Sequence, residues 1–353
     1  MTRRDLLGRL AFGVTFLSAL GFAPRSLLSS LLFEPDAPLV PARPIPVNPF
    51  VTDGKALVAI VHGDRPADML SEGLAMLGGF DRLGVSGRRV LIKPNVVNDR
   101  PPPSTTSPDV IAAAVSAMQQ AGAVDVTVAD SSGMLRFPTS ENLESTGIRT
   151  AVERLGSRLL ALEVEPWLAV EPPAAMLQPR MLVSKPVYDA EVLINLPVVK
   201  THRFAHYSCS LKNVVGVVHP RCRPSLRFLA GRWHEHIAEL NLAVHPRLTV
   251  ADGTTVMIAG GPTSGTPARA NVLLLSGDRV ALDAVAVALI RSYGAWDKVR
   301  TGSVWEQRQI KRAAELGLGV RGPREMELMV RSLKPDDDFK RRTEQIERDV
   351  SQG

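Results

Sequence analysis

Residues 196–219 hold three histidines (His202, His206, His219), two lysines (Lys200, Lys212), Asn213 and Cys209, one of only two cysteines, in a stretch that is otherwise largely apolar. Three kinds of chemistry suit those residue types. Imidazoles four positions apart, as His202 and His206 are, share one face of a helix and can share a metal. Lysines beside a carboxamide can hold a carboxylate or phosphate, the ammonium acting as a point charge and the amide as a directional donor. The plain alternative is a set of histidines satisfied in loops or in the core. No glutamate follows His202, so the HExxH pattern of zinc peptidases is absent. His234 and His236, two apart, would face the same side only in an extended segment.

Polar residues of the same kinds follow other apolar runs. LIKPN (91–95) delivers Lys93 and Asn95, VTVADSS (126–132) delivers Asp130, Ser131 and Ser132, INLPVVKTH (194–202) delivers Asn195, Lys200 and His202, and LTVADG (248–253) delivers Asp252. Ligands of open parallel sheets bind outside the carboxyl ends of the strands, so four such clusters point to one shared cleft. Lys93 suits an anion ligand and equally an ion pair with Asp130. Asp283 lies within VALDAVAVAL (280–289), where a buried carboxylate needs a partner; Lys93, Lys200 and Lys212 are the candidates. AGGPTSGTP (259–267) matches neither a Walker A loop nor GxGxxG, and reads as a lid or a turn.

These clusters must be carried by regular elements. An apolar run at 56–63, helical spacing over 67–83 and a strand at 88–97 are followed by a helix over 107–121, with Ser107 as N-cap and Pro108 in the first turn. A strand at 125–132 completes a β-α-β-α-β alternation. Strands at 159–165, 180–187, 190–197, 247–252 and 271–276 follow, with helices at 148–155, 237–244 and 280–293. The expected class is α/β: a predominantly parallel, doubly wound sheet with flanking helices, as one body or as two α/β lobes around a strand-end cleft. The expected divisions are a signal or anchor at 1–33, a Pro-rich linker at 34–55, an α/β domain at 56–300 and a helical, charged extension at 301–353.

The chain has 353 residues, 45% of them hydrophobic, enough for a substantial core. Its formal net charge of +6 is scattered among acids, and aromatics make up only 5%, so no basic, base-stacking surface for nucleic acid is expected. Two cysteines exclude a four-cysteine iron–sulfur cluster within this chain; a Cys209–Cys222 disulfide stays open. Thr2, Arg3, Arg4, Asp5, Leu6 and Leu7 fit a twin-arginine export pattern, followed by an apolar run at 10–23. That run is short for a span, which needs roughly 20 residues. The expectation is engagement of the twin-arginine export machinery and residence in the periplasm, free or held by the amino-terminal segment on the outer side of the inner membrane.

LIKPNVV, the Ser-Pro helix start, VADSS, INLPVVKTH, SLKNVVGVV, ADG before a Gly-Pro loop and SGDRVALDAVA occur here in the order of the domain of unknown function 362 family, which the chain resembles from about Ala56 to Tyr293. The resemblance implies no reaction. It implies functional positions at Lys93, Asn95, Asp130, Asn195, Lys200, His202, Lys212, Asn213, Asp252 and Asp283. Family members fused to ferredoxin-like modules are described as iron–sulfur proteins, a role that the cysteine count here rules out of this chain. A more distant likeness is to lactate racemases, which use a nickel pincer cofactor. The combined reading is an exported enzyme acting on a small anion, with a binding or carrier protein for a metal, cluster or organic anion as the alternative. In it Lys93, Lys200 and His202 carry catalysis, His202 as general acid or base. Asn95, Asp130, Asn195, Lys212, Asn213 and Asp283 line the ligand, and His202, Asp130 and Asp252 are the ligand set for any divalent metal.

Overall fold

The computed structural model describes residues 36–133, 136–223 and 231–353, and the amino-terminal export pattern lies outside them. The strands are β1 (Val51–Thr52), β2 (Lys55–His62), β3 (Arg89–Pro94), β4 (Asp125–Asp130), β5 (Arg158–Ala161), β6 (Trp167–Val170), β7 (Met181–Ser184), β8 (Val192–Leu196), β9 (Val198–His202), β10 (His206–Ser208), β11 (Leu248–Gly260), β12 (Gly265–Ser276) and β13 (Met326–Ser332). The main sheet runs β1-β2-β12-β11-β8-β3-β4-β5, with β13 added on β2 and the β9/β10 hairpin on β11. Strands β5, β4, β3, β8 and β11 are mutually parallel. Strand β12 is antiparallel to both neighbours, which leaves β2 running in the common direction. The α/β class holds, in one large mixed, mostly parallel sheet, with β6 and β7 pairing antiparallel as a separate two-stranded sheet.

Period-2 alternation decides which layer each residue joins. Along β2, Leu57, Ala59 and Val61 pack into a core with the helices Pro66–Met76 and Pro108–Gln120. Ala56, Val58 and Ile60 pack into the opposite core with the helix Arg279–Arg291. Apolar residues on both faces of the strands require helices on both sides, and the chain supplies them.

Several expectations need correction. The helical spacing over 67–83 is split into Pro66–Met76 and Phe80–Leu83, because Gly78 and Gly79 take φ of 100° and 90°, outside the helical region. His202 and His206 are not on a helix; they are register partners across the β9/β10 hairpin. The 259–267 loop is the turn joining two long antiparallel strands, and its Gly261 carbonyl accepts the Arg203 amide (3.4 Å) beside β9. Residues 301–353 are not only helical, since they carry β13. Residues 36–50 lack regular structure, yet they lie on the body: the Val40 amide donates to the Ala169 carbonyl (2.9 Å) and Phe50 is fully buried. Cys209 and Cys222 are both buried and are not joined in a disulfide. No helix of the described residues is long and apolar enough to cross a membrane.

Candidate functional site

Register brings the first polar side chains together. Lys93 on β3 sits opposite Asn195 on β8, and Asn195 opposite Thr249 on β11, a polar row across three parallel strands at their carboxyl ends. The short helix Ser210–Asn213 lies against this row. Asn195 Nδ2 donates to the Ser210 carbonyl and hydroxyl (both 3.2 Å), and the Ser210 and Thr249 hydroxyls are 3.0 Å apart. Asn213 Nδ2 donates to Asn195 Oδ1 (2.8 Å), while Asn213 Oδ1 accepts from Asn95 Nδ2 (3.0 Å). Three carboxamides thereby hold one another in fixed orientations, and burial makes each bond costly to break.

Within this frame Lys93 and Asp130 form a fully buried ion pair at 2.5 Å. Asp130 Oδ2 also accepts the Val96 amide (2.6 Å), and Lys93 donates to the Pro94 carbonyl (2.8 Å). Burial pulls the Lys93 ammonium down and the adjacent carboxylate opposes it. Of the two roles open to Lys93, the structure shows the ion pair. Gly216, the last residue of LKNVVG, makes room for it: a Cβ there would stand 2.5 Å from Asp130 Oδ1 and 2.8 Å from Lys93 Nζ.

Lys200 is as buried as Lys93 but has no carboxylate partner among the described residues. Its ammonium donates to Asn95 Oδ1 (2.5 Å) and to the Ser104 carbonyl (2.6 Å), both neutral. The loop after β3 delivers these acceptors because Thr106 closes it, with the Thr106 hydroxyl accepting from the Asn95 amide and donating to the Leu196 carbonyl (2.8 Å each). Burial, then Lys212, pulls Lys200 down to about 7, with Asp130 opposing. Lys212 is half-buried, has no hydrogen-bond or ion-pair partner among the described residues, and is lowered to about 8 by burial and then by Arg223 and Lys93. Arg223, fully buried, donates to the Ser132 carbonyl, to the Ser131 hydroxyl (2.7 Å) and to the Val218 carbonyl (3.1 Å); burial lowers it to about 10. The cluster thus holds Lys93, Lys200, Lys212 and Arg223 against Asp130, with Glu163 the next carboxylate and itself raised by burial. Such an excess of buried positive charge calls for an anion.

His202 borders the cluster. Its Nδ1 accepts the amides of Phe204 (3.2 Å) and Ala205 (3.1 Å), and burial with Lys212 and Lys200 pushes the imidazolium well below its ordinary range. The ring is therefore neutral near pH 7, its hydrogen on Nε2. It can offer a neutral hydrogen bond, and the expected role as an acid near neutrality gives way to that.

The other expected residues separate from the cluster. Asp252 accepts the Ser107 amide (2.8 Å), the Thr254 amide (3.0 Å) and the Thr254 hydroxyl (2.6 Å), tying the start of the helix Pro108–Gln120 to β11. Asp283 is not paired with a lysine: it accepts the Tyr207 hydroxyl (3.0 Å) and the Ser210 and Leu211 amides (2.7 and 3.2 Å). His202, Asp130 and Asp252 are each engaged elsewhere, and no three His, Cys, Asp or Glu side chains among the described residues form a metal-ligating group. Sequence reasoning missed Arg223, Ser104, Gly216 and Asn98. Asn98 Oδ1 accepts the Ser104 hydroxyl (2.9 Å), and its buried Nδ2 has no acceptor among the described residues, an open donor in the loop that holds Lys200. The legible signal among these was Gly216, a glycine set between valines.

A cavity of about 450 Å³ lies at the opposite, amino-terminal edge of the sheet, lined by Arg43, Asn48, His245, Arg247 and Arg279 among others. Its cations are committed to backbone: Arg279 donates to the Val244 carbonyl (2.8 Å) and Arg247 to the Arg82 carbonyl (3.0 Å). The strand-end cluster is the stronger candidate.

A family model described as Domain of unknown function (DUF362) matches residues 90–288, more than half of the chain and all of the cluster. A protein of Synechocystis sp. named as thylakoid-associated is 28% identical over 261 residues, 72% of this chain and 78% of that protein. The solved lactate racemase apoprotein from Thermoanaerobacterium thermosaccharolyticum aligns with a TM-score of 0.44 at 9% identity, over 84% of this chain and 87% of that one.

Proposed function

From the premise that the chain belongs to the DUF362 family, we propose that it is an enzyme acting on a small carboxylate or phosphate, held at the strand ends by Lys200, Lys212 and Arg223. The observation that carries this reading is Lys200: a buried ammonium whose hydrogen bonds go to neutral oxygens, with two further cations, Lys212 and Lys93, acting on it against the single carboxylate of Asp130. An anion would supply the missing counter-charge. In the free site Lys200 titrates near 7, so the same side chain can accept or return a proton there. Asn95 orients it, Lys93 and Asp130 fix the floor, and neutral His202 offers a hydrogen bond.

Calorimetry with acetate and with inorganic phosphate tests the reading. Lys200→Met and Lys212→Met should each weaken binding about tenfold or more, as expected for loss of a bond to a charged group. The pH sign follows from the lowered ammonium values. An anion favours protonated lysine, so affinity should be full below pH 7 and decline as pH rises through about 7 for Lys200 and about 8 for Lys212. Binding that is unchanged by both substitutions and flat between pH 6 and 9 would sink it.

The export reading stands on the Thr2 to Leu7 pattern and the apolar run at 10–23 that follows it. Under it, replacing Arg3 and Arg4 by lysine retains the protein in the cytoplasm, and cell fractionation that finds it outside regardless would refute the signal.

A further inference from the structure

Lys93 and Lys200 are both fully buried, yet their side-chain nitrogens are furnished for different protonation states. Lys93 Nζ has three acceptors, Asp130 Oδ1 (2.5 Å), the Pro94 carbonyl (2.8 Å) and Asn213 Oδ1 (3.4 Å), one for each hydrogen of an ammonium, and one of them is charged. Lys200 Nζ has two acceptors among the described residues, Asn95 Oδ1 (2.5 Å) and the Ser104 carbonyl (2.6 Å), and both are neutral. Neither is free to turn away. Asn95 keeps its oxygen toward Lys200 because its Nδ2 donates to Asn213 Oδ1 (3.0 Å), and Asn213 is fixed in turn by its bond to Asn195 Oδ1 (2.8 Å). Ser104 is itself buried; its amide donates to the Pro101 carbonyl (3.0 Å) and its hydroxyl to Asn98 Oδ1 (2.9 Å).

Two fixed acceptors match the two hydrogens of an uncharged amine and leave its lone pair unbonded. Burial favours that uncharged form, Lys212 and Lys93 push the same way, and Asp130 opposes. A desolvated lysine beside other cations is the arrangement that makes this side chain a nucleophile toward carbonyl carbon. Resting on the anion reading above, we propose that Lys200 forms an imine with an oxo acid, a carboxylate that also carries an aldehyde or ketone, while Lys212 and Arg223 hold the carboxylate. The lone pair attacks the carbonyl carbon, a C–N bond forms, and the carbonyl oxygen leaves as water. Counted from the ammonium, two of its three hydrogens depart in that water, the third stays on the C=N nitrogen, and the positive charge is kept. No oxidant, reductant or second reactant is needed. The remaining N–H still has Asn95 Oδ1 or the Ser104 carbonyl to receive it.

The test treats the full chain near neutral pH with cyanoborohydride and one of three probes: pyruvate, which has a carboxylate and a carbonyl; acetone, the carbonyl alone; propionate, the carboxylate alone. The reductant converts an imine into a stable secondary amine, which intact mass and peptide mapping locate. Pyruvate should leave a single label, on Lys200, and should do so about tenfold faster than acetone or more, the difference expected of a hydrogen bond to a charged group. Propionate should leave none. Lys212→Met should remove the advantage of pyruvate over acetone, and Lys200→Arg, which keeps the cation, should lose the label. Melting temperatures report whether the variants fold, and the mapping in the native chain decides on its own if they do not. Label that spares Lys200, or that spreads over exposed lysines at equal rates, would overturn the imine; calorimetry that still finds pyruvate and propionate bound through Lys200 and Lys212 would leave the anion reading standing. If neither pyruvate nor propionate binds, both readings fail.

Discussion

At the scale of single residues the site depends on what is missing at Gly216. Lys93 and Asp130 are buried together, and such a pair is stable only while its geometry is intact, because either charge left alone in the interior costs about 3–5 kcal/mol. The pair reaches its contact because residue 216 has no side chain. Gly216→Ala would place a methyl well inside van der Waals contact distance of both charged atoms, so either the ion pair opens or the Val214–Val217 turn moves. Overpacking alone costs about 1–3 kcal/mol, and an opened pair more. The expected outcome is a clear fall in melting temperature together with loss of acetate binding. Gly322→Ala is the control, since no atom lies within 4 Å of its Cβ position and its φ of 177° is extended; it should change stability by about 0.5 kcal/mol or less. Equal melting temperatures for the two variants would show that the ion pair tolerates displacement and that Gly216 has no role in holding it. The same residue illustrates how far the site could be read from sequence. Lys93, Asn95, Asp130, Asn195 and Lys200 were legible because strand ends gather polar residues in one place. Which of them pair with each other was not, because a buried ammonium next to a carboxylate and one next to a carboxamide look alike along a chain.

At the scale of elements, Asp283 shows a residue whose type was informative and whose role was misread. A carboxylate in an apolar helix needs a partner, and three lysines were available on paper; the partner is instead the start of the short helix Ser210–Asn213, with Tyr207 beside it. The helix Arg279–Arg291 uses Asp283 to hold the element that carries Lys212 and Asn213. Three donors converge on this one side chain, and each left bare would cost about 1–3 kcal/mol, so Asp283→Ala should destabilise the fold strongly and remove anion binding with it. Asp283→Asn separates structure from charge. Burial raises the Asp283 carboxyl to about 7 from an ordinary 3.8. Between those values the folded chain holds a proton that the unfolded chain has released, so this group's contribution to stability is greatest at low pH and declines as pH rises from about 4 to 7. Urea unfolding across that window should show this slope in the native chain and a shallower one in Asp283→Asn. Identical slopes would mean that Asp283 does not titrate there. Elements of other kinds were legible to different degrees. Ser107 followed by Pro108 marked a helix start that the structure keeps, with the Asp109 amide donating to the Ser107 hydroxyl (3.3 Å). The direction of β12 was not legible, because an apolar strand carries no mark of its orientation.

At the scale of the whole molecule, the sheet is completed by a strand from the far end of the chain. MELMVRS, each residue of which lies 270 positions after its partner on β2, has only a short alternation interrupted by charge, and a charged tail reads naturally as an extension. It pairs instead with the full length of β2, from Met326 opposite Ala56 to Ser332 opposite His62, and the Ser332 hydroxyl meets His62 Nδ1 at 2.8 Å. The helix Asp337–Ser351 then folds back, stacking Phe339 on His62 at 4.4 Å. Met326, Phe339, Ile346 and Val350 are all buried in the core that also receives Val58 and Ile60. Each large apolar side chain is worth about 1.5–3 kcal/mol on burial, so the four contribute on the order of 6–12 kcal/mol. That is comparable with the whole net stability of a typical domain, about 5–15 kcal/mol. A chain ending at Glu325 would lose this and would expose the edge of β2, a template for pairing with other chains. The expected result is an insoluble product, or a soluble one without a cooperative thermal transition. A truncated protein that melts cooperatively within a few degrees of the full chain would show that 326–353 is an appended piece, and that the sheet closes without it.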